Sequence, residues 1–253
     1  MARKILITSG KGGVGKTTMT AHLGMCLAKK GERVVLVDAD FGLNNLDVCL
    51  GVESSPYGVA EVSAGKCRVK QALIRHSKYP NLYVLSSGRA DCRLEEEGFR
   101  DMINRLEREF DFLLIDCPAG IESGFQLAAS VADEAIVVVA PQLFSLRDAD
   151  KVVQRLKGRG IETQSLLINL SKGDLVASGE EFSPLEIAKL LKLPVLGVVP
   201  YQYTLSCEEL PTPHLSVRYA AEILRGGKRR IFDPTKKYTG FFGGIRRGLK
   251  RRL

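Results

Sequence analysis

No apolar run in this chain of 253 residues approaches the roughly 18 needed to span a bilayer. A signal peptide is lacking too, because Arg3 and Lys4 are followed by only a few apolar residues. Both absences lead to the expectation of a cytoplasmic protein. Closely spaced cysteines are also missing. The six present (Cys26, Cys49, Cys67, Cys92, Cys117 and Cys207) form no C-x-x-C or C-x-C pair. That argues against a zinc site or a cluster bridged by neighbouring thiolates and, in a reducing compartment, against disulfides. Most read as small buried hydrophobes. Acidic residues are nearly absent from the C-terminal end. From Arg225 onward eleven lysines and arginines face one acid, Asp233, so this stretch carries +10 and, with a formal net charge of +8, the body is −2. A basic tail on a near-neutral body is built to meet something anionic.

The chain does contain one sharply defined motif. Gly10 to Thr18 read GKGGVGKTT, which satisfies G-x-x-x-x-G-K-[ST] through Gly10, Gly15, Lys16 and Thr17. An apolar run, Lys4–Thr8, precedes it as a buried strand, and Thr17–Lys30 follows as a helix closed by Gly31. Glycines Gly12, Gly13 and Gly15, with Val14 between, let backbone N–H groups turn inward on phosphate oxygens, and the helix N-terminus adds partial positive charge. Lys16 is placed to reach the terminal phosphates. The Thr17 hydroxyl is placed for magnesium, with Thr18 completing the loop.

Val/Ile/Leu-rich runs recur at Arg33–Val37, Asn81–Leu85, Phe112–Ile115, Glu134–Val139, Gln164–Ile168 and Val195–Val199. Helical patterns fall between most of them, at Leu94–Glu109, Ser123–Val131, Ser145–Lys157 and Pro184–Leu191. This alternation predicts an α/β, three-layer P-loop NTPase fold, a mostly parallel sheet with helices on both faces. Ligands of such sheets sit at the carboxyl ends of the strands. There the sequence places DADFGLNNLD, with Asp38 and Asp40, and DCPAGIE, with Asp116. A lone strand-end aspartate often only caps a helix, but together with the phosphate loop these carboxylates suit a magnesium site and an attacking water.

A second lysine, Lys11, follows the first glycine of the loop. This GKGGVGKT form is the deviant Walker A signature, and the chain resembles the MinD/ParA family of dimerising ATPases. The two aspartate segments and SLRDAD (Ser145–Asp150) resemble its MinD-like members. The resemblance implies ATP and Mg²⁺ as ligands, with Lys11 reaching into the partner subunit's site. It implies Asp40 as the carboxylate that positions water, with Asp38 and Asp116 at the magnesium, and Asn45 and Asp148 on the dimer or partner surface. Asn169 and Pro200 fall where the family reads adenine. The chain departs from the pattern beside them: Leu170 stands in place of a basic residue, and Tyr201-Gln202 in place of an acidic pair.

The expected division is an ATPase domain over 1–225, a basic linker over 226–239 containing Pro234, and an amphipathic segment over 240–253. On a helical wheel Phe241, Phe242, Ile245, Leu249 and Leu253 share one arc, while Arg246, Arg247 and Lys250 lie outside it or at its edge. Gly243, Gly244 and Gly248 make it a poor helix in water, each costing about 1 kcal/mol against alanine. Such a segment folds at an anionic membrane surface. The same cations suit nucleic acid, which the paired phenylalanines disfavour.

The resemblance further implies placement of the division septum, peripheral attachment to the inner membrane face, a septum-inhibiting partner and a hydrolysis-stimulating partner. A related ATPase of DNA partition or of flagellar number stands as the alternative.

Overall fold

The fold is that of a computed structural model, which describes residues 1–41, 45–53, 55–88, 96–201 and 212–239. The chain runs β1 (Arg3–Thr8), α1 (Lys16–Lys29), β2 (Val34–Asp38), α2 (Asn45–Leu50), α3 (Val59–Ser63), α4 (Val69–Ala72), β3 (Ile74–Arg75), β4 (Leu82–Leu85) and α5 (Glu96–Leu106). It continues through β5 (Phe112–Asp116), α6 (Ser123–Ala129), β6 (Glu134–Val139), α7 (Leu143–Lys157), β7 (Thr163–Ser171), α8 (Gly173–Ser178), α9 (Pro184–Leu191), β8 (Val195–Pro200) and α10 (Leu215–Leu224).

Among the described residues eight strands form one sheet in the order β3-β4-β2-β5-β1-β6-β7-β8, of which only the short β3 runs antiparallel, to β4. Each central strand is apolar on both sides because helices cover both faces. Leu6, Val35, Val37, Leu113, Ile115, Val137 and Val139 point into the core beneath α5, α6 and α7. Their alternating neighbours Ile5, Ile7, Val34, Leu36, Leu114, Ile136 and Val138 point into the core beneath α1 and α10. The chain winds outward from β1 in both directions, so the end of β1 is a topological switch point, where α/β sheets hold their ligands. The phosphate loop leaves the sheet there.

The strands expected from sequence are present, with shifted ends: Asp38 and Asp116 close β2 and β5 rather than following them, and β7 extends to Ser171. The helix expected over Leu94–Glu109 ends at Leu106, and its start lies partly outside the described residues. Pro184–Leu191 carries its start signals as chemistry. Ser183 Oγ accepts from the Glu186 N–H while Glu186 Oε2 accepts from the Ser183 N–H, and Pro184 fills the first turn.

Residues 226–239 hold no helix or strand but are seated against the body rather than strung out from it. Arg229 Nη2 donates to the Val195 carbonyl at the start of β8, and Ile231 packs on the first core. Phe232 meets His214 edge-on, with ring centroids 5.0 Å apart. At the far end the Pro234 carbonyl and the Tyr238 ring lie against Gly173, where a Cβ would come 1.9 Å from the Pro234 oxygen. Gly173→Ala therefore forces the strap or α8 to move. We predict a loss of ~1–3 kcal/mol for such overpacking, read as a fall of roughly 2–4 °C in Tm per kcal/mol. An unchanged melting curve contradicts this seating.

Candidate active site

Three adjacent strands bring the acidic residues together. Asp38 of β2 and Asp116 of β5 are in register, and Asp116 is also in register with Ile7 of β1, one residue before the strand ends at the phosphate loop. Asp116 is wholly buried and Asp38 nearly so. A buried carboxylate must be paired or hydrogen-bonded, and Asp116 is both. Its Oδ1 accepts from Lys16 Nζ at 2.9 Å and from Thr20 Oγ1 at 3.0 Å, and its Oδ2 from Thr17 Oγ1 at 2.7 Å. Lys16 is itself buried.

The loop above is held by its own chemistry. Gly13 and Gly15 have φ of 79° and 83°, left-handed values that glycine adopts without cost. Gly15 opens α1 and its carbonyl accepts from the Met19 N–H. Asn169 Nδ2 donates to the Val14 carbonyl at 2.9 Å, fixing the loop to the end of β7. This amide lies against Gly15, 2.5 Å from where a Cβ would stand. Ser9 Oγ donates to the Lys11 carbonyl, and the Gly120 N–H to that of Ser9, which brings the Pro118-Ala119-Gly120 turn against the loop. Gly10 abuts the backbone of Asp148 and Ala149 in α7.

Asp38 Oδ1 accepts from the Asp40 N–H at 3.0 Å. Burial, reinforced by the Asp116 charge, raises its carboxyl to about 7, against the lowering effect of the Asp40 and Leu46 N–H groups and of Lys16. Asp40 itself is half-buried just beyond β2. Cys117, next to Asp116, is inert by burial, its thiol pushed up to about 12.

The structure thus gathers Gly10–Thr18, Asp38, Asp40, Asp116 and Asn169 at one end of the sheet. Pro200 closes β8 opposite Ser171, two residues beyond Asn169. Lys11 is exposed. Asp148 lies half-buried on α7, its carboxylate 3.0 Å from Lys151 Nζ. Asn45 opens α2, but its side chain is outside the described residues, as are Phe241, Phe242, Ile245, Arg246, Arg247, Leu249, Lys250 and Leu253. Thr20 was missed by sequence reasoning. The available signal was its position four residues after Lys16 on one helix face.

The donors fit magnesium. A hydroxyl and two carboxylates, all oxygen, suit an ion that keeps several waters and takes further ligands from phosphate. Among the described residues no group of three or more His, Cys, Asp or Glu could cage a metal.

Comparison with known proteins agrees with this geometry. A family profile described as an AAA domain matches residues 2–167. The septum site-determining protein MinD of Synechocystis is 37% identical over 263 residues, covering 98% of this chain and 99% of its own. That of Helicobacter pylori is 46% identical over 210 residues, covering 79% and 78%. The chain belongs to the MinD family. It is an ATPase of the septum site-determining kind, and the DNA-partition and flagellar readings are not favoured. Among solved structures, the MinC:MinD cell division complex of Aquifex aeolicus superposes with a TM-score of 0.82 at 34% identity, covering 91% of this chain and 100% of that one. MinD of Pyrococcus horikoshii, solved with Mg-ADP, gives 0.72 at 28% identity, covering 88% and 96%.

The raised Asp38 carboxyl has a consequence for stability. Folded protein holds this proton up to about pH 7, whereas the unfolded chain releases it near 3.8. Between those values the folded state binds more protons, so stability falls as pH rises and the penalty is complete above pH 7. In nucleotide-free, magnesium-free protein, Asp38→Asn should raise Tm at pH 8 and lose most of that advantage by pH 4.5. A gain independent of pH contradicts the assignment.

Proposed function

We propose that this chain closes on itself as a dimer around two ATP·Mg²⁺, is held at the inner membrane face by its C-terminal segment while dimeric, and is released after hydrolysis. The observation that carries this reading is the Lys16–Thr17–Asp116 cluster, its lysine and carboxylate buried, beneath a phosphate loop whose second lysine, Lys11, is exposed. Lys16 and the loop N–H groups bind and neutralise the phosphates. Thr17, Asp38 and Asp116 hold magnesium and its waters, and the ion supplies charge neutralisation on the phosphates. Asp40 orients the water that attacks the γ-phosphoryl group as the bond to ADP breaks. Positioning and charge neutralisation are the protein's main contributions to such transfers. Lys11 completes the neutralisation from the partner subunit. Asn169 and Pro200 flank the adenine.

The domain reading goes with this: body 1–225, strap 226–239 and foot 240–253. The foot has five large apolar side chains and a row of cations. Each cation near an anionic leaflet is worth about 1 kcal/mol, set against ~1–2 kcal/mol for ordering each residue. One foot grips weakly, and two on one dimer gain avidity of about 10²–10⁴. Likeness to the MinC:MinD complex supports a septum-inhibiting partner. Asn45 and Asp148 form its surface or the dimer seam, and a second partner stimulates hydrolysis.

Vesicles of anionic phospholipid test the cycle by co-sedimentation. The full chain should sediment with ATP and stay soluble with ADP or without nucleotide, and a chain ending at Thr239 should stay soluble throughout. Asp40→Ala should remain vesicle-bound with ATP while hydrolysis falls by about 10² or more, as for loss of a water-orienting group. Lys11→Ala should abolish ATP-dependent sedimentation. Binding that ignores nucleotide, or survives truncation, overturns the proposal.

A further inference from the structure

Among the described residues three side chains donate to the Asp116 carboxylate, and two of them have other work. Lys16 is committed to phosphate and Thr17 to magnesium in the function proposed above, on which this inference rests. Thr20 has no such alternative. It sits one turn further into α1, is fully buried, and is bonded only within the protein, to Asp116 Oδ1 at 3.0 Å and to the Lys16 carbonyl at 3.1 Å. Its hydroxyl has one proton to give, and a charged carboxylate is the stronger acceptor of the two. Of the two χ1 rotamers open to threonine in a helix, the one adopted sets Oγ1 beside Asp116, and the hydroxyl hydrogen turns to the stronger acceptor.

We propose that Thr20 is a positioning residue for magnesium: it keeps Asp116 oriented, through Oδ1, when Lys16 and Thr17 turn to the nucleotide, leaving Oδ2 directed at the metal's side of the site. The geometry favours this over simple packing. Valine fills the same volume, so a packing role needs no hydroxyl, yet the hydroxyl bridges helix α1 to the end of β5 between two groups that are themselves buried. Asp116 thus keeps one donor that the nucleotide does not take over. Partners that orient a metal-binding carboxylate typically account for 10–100-fold in metal affinity or activity.

The test measures magnesium dependence rather than turnover alone. Binding of a fluorescent N-methylanthraniloyl-ADP to the full chain is followed in EDTA and across a magnesium titration, for wild type, Thr20→Val, Thr20→Ser and Asp116→Asn. Thr20→Val should bind the nucleotide in EDTA as wild type does, while its half-saturating magnesium rises about 10-fold or more, in the range for such partners. Thr20→Ser, which keeps the donor, should return close to wild type. In hydrolysis assays Thr20→Val should lose kcat at limiting magnesium and recover it at high magnesium, with KM for ATP little changed.

An unshifted magnesium requirement in Thr20→Val, with Asp116→Asn shifted, overturns the Thr20 role and leaves the Asp116 reading standing. If neither variant shifts, Asp116 does not serve magnesium and both fall. Equal shifts in Thr20→Ser, which keeps the hydroxyl, and Thr20→Val, which keeps the methyl, show that the donor is not what sets the magnesium requirement and also overturn the proposal. Should Thr20→Val not fold, Thr20→Cys, a weaker donor of similar size, takes its place and should give a shift between those of serine and wild type on one side and Asp116→Asn on the other.

Discussion

The buried ion pair between Lys16 and Asp116 organises this site. Both groups are buried, so each depends on the other for charge compensation. Removing one partner of such a pair leaves an uncompensated buried charge, which costs far more than the net strength of the pair itself. In the proposed function phosphate would therefore compete with Asp116 for Lys16, and magnesium would offer Asp116 a cationic environment in exchange, which couples nucleotide and metal through one carboxylate. A phosphate loop that keeps its lysine paired in this way avoids gathering an exposed cluster of positive charge, and it keeps the helix start in place for its ligand.

The fold supplies that pairing through strand order. β5 lies between β1 and β2, so the carboxylate ending β5 is beside both the phosphate loop that leaves β1 and the Asp38 that ends β2. Burial raises the Asp38 carboxyl, and the charge of Asp116, in register beside it, adds to the shift. On the other flank Asn169 ties the loop to β7, next to Leu170, a non-glycine residue at φ 60°. β7 continues to Ser171, and Gly173 beyond it receives the Pro234 carbonyl of the strap. Phosphate loop, the end of β7 and the strap thus follow one another along a short path of direct contacts.

Much of this was legible in the chain itself. Continuous Val/Ile/Leu runs marked the central strands, because a strand buried on both faces has no polar alternation to obscure it. GKGGVGKTT marked the loop, although Gly10 in it answers the close approach of α7 and only Gly13 and Gly15 take left-handed φ. Shorter elements were hidden. α2, α3, α4 and α8 span only four to six residues, too few for a 3.6-residue period to show. β3 is two residues held by its pairing to β4. The stretch 226–239 reads as linker because its composition is polar and basic, whereas its placement depends on the Ile231 and Phe232 side chains and the Pro234 carbonyl meeting elements distant in sequence. Thr20 carries no motif of its own. Its partner is 96 residues away, and only the fold brings them together.

A near-neutral body and a strongly cationic end divide the labour in the proposed cycle. The body senses the terminal phosphate, and the end supplies a weak grip that counts only when doubled. That places pairing of protomers at the centre, ahead of lipid affinity or catalytic rate. Light scattering behind size exclusion measures it directly, on Asp40→Ala so that ATP persists through the column. One protomer, 27.7 kDa, is expected in ADP, and a mass of twice that in ATP with magnesium. A single protomer in both nucleotides, or a dimer in both, contradicts ATP-driven pairing.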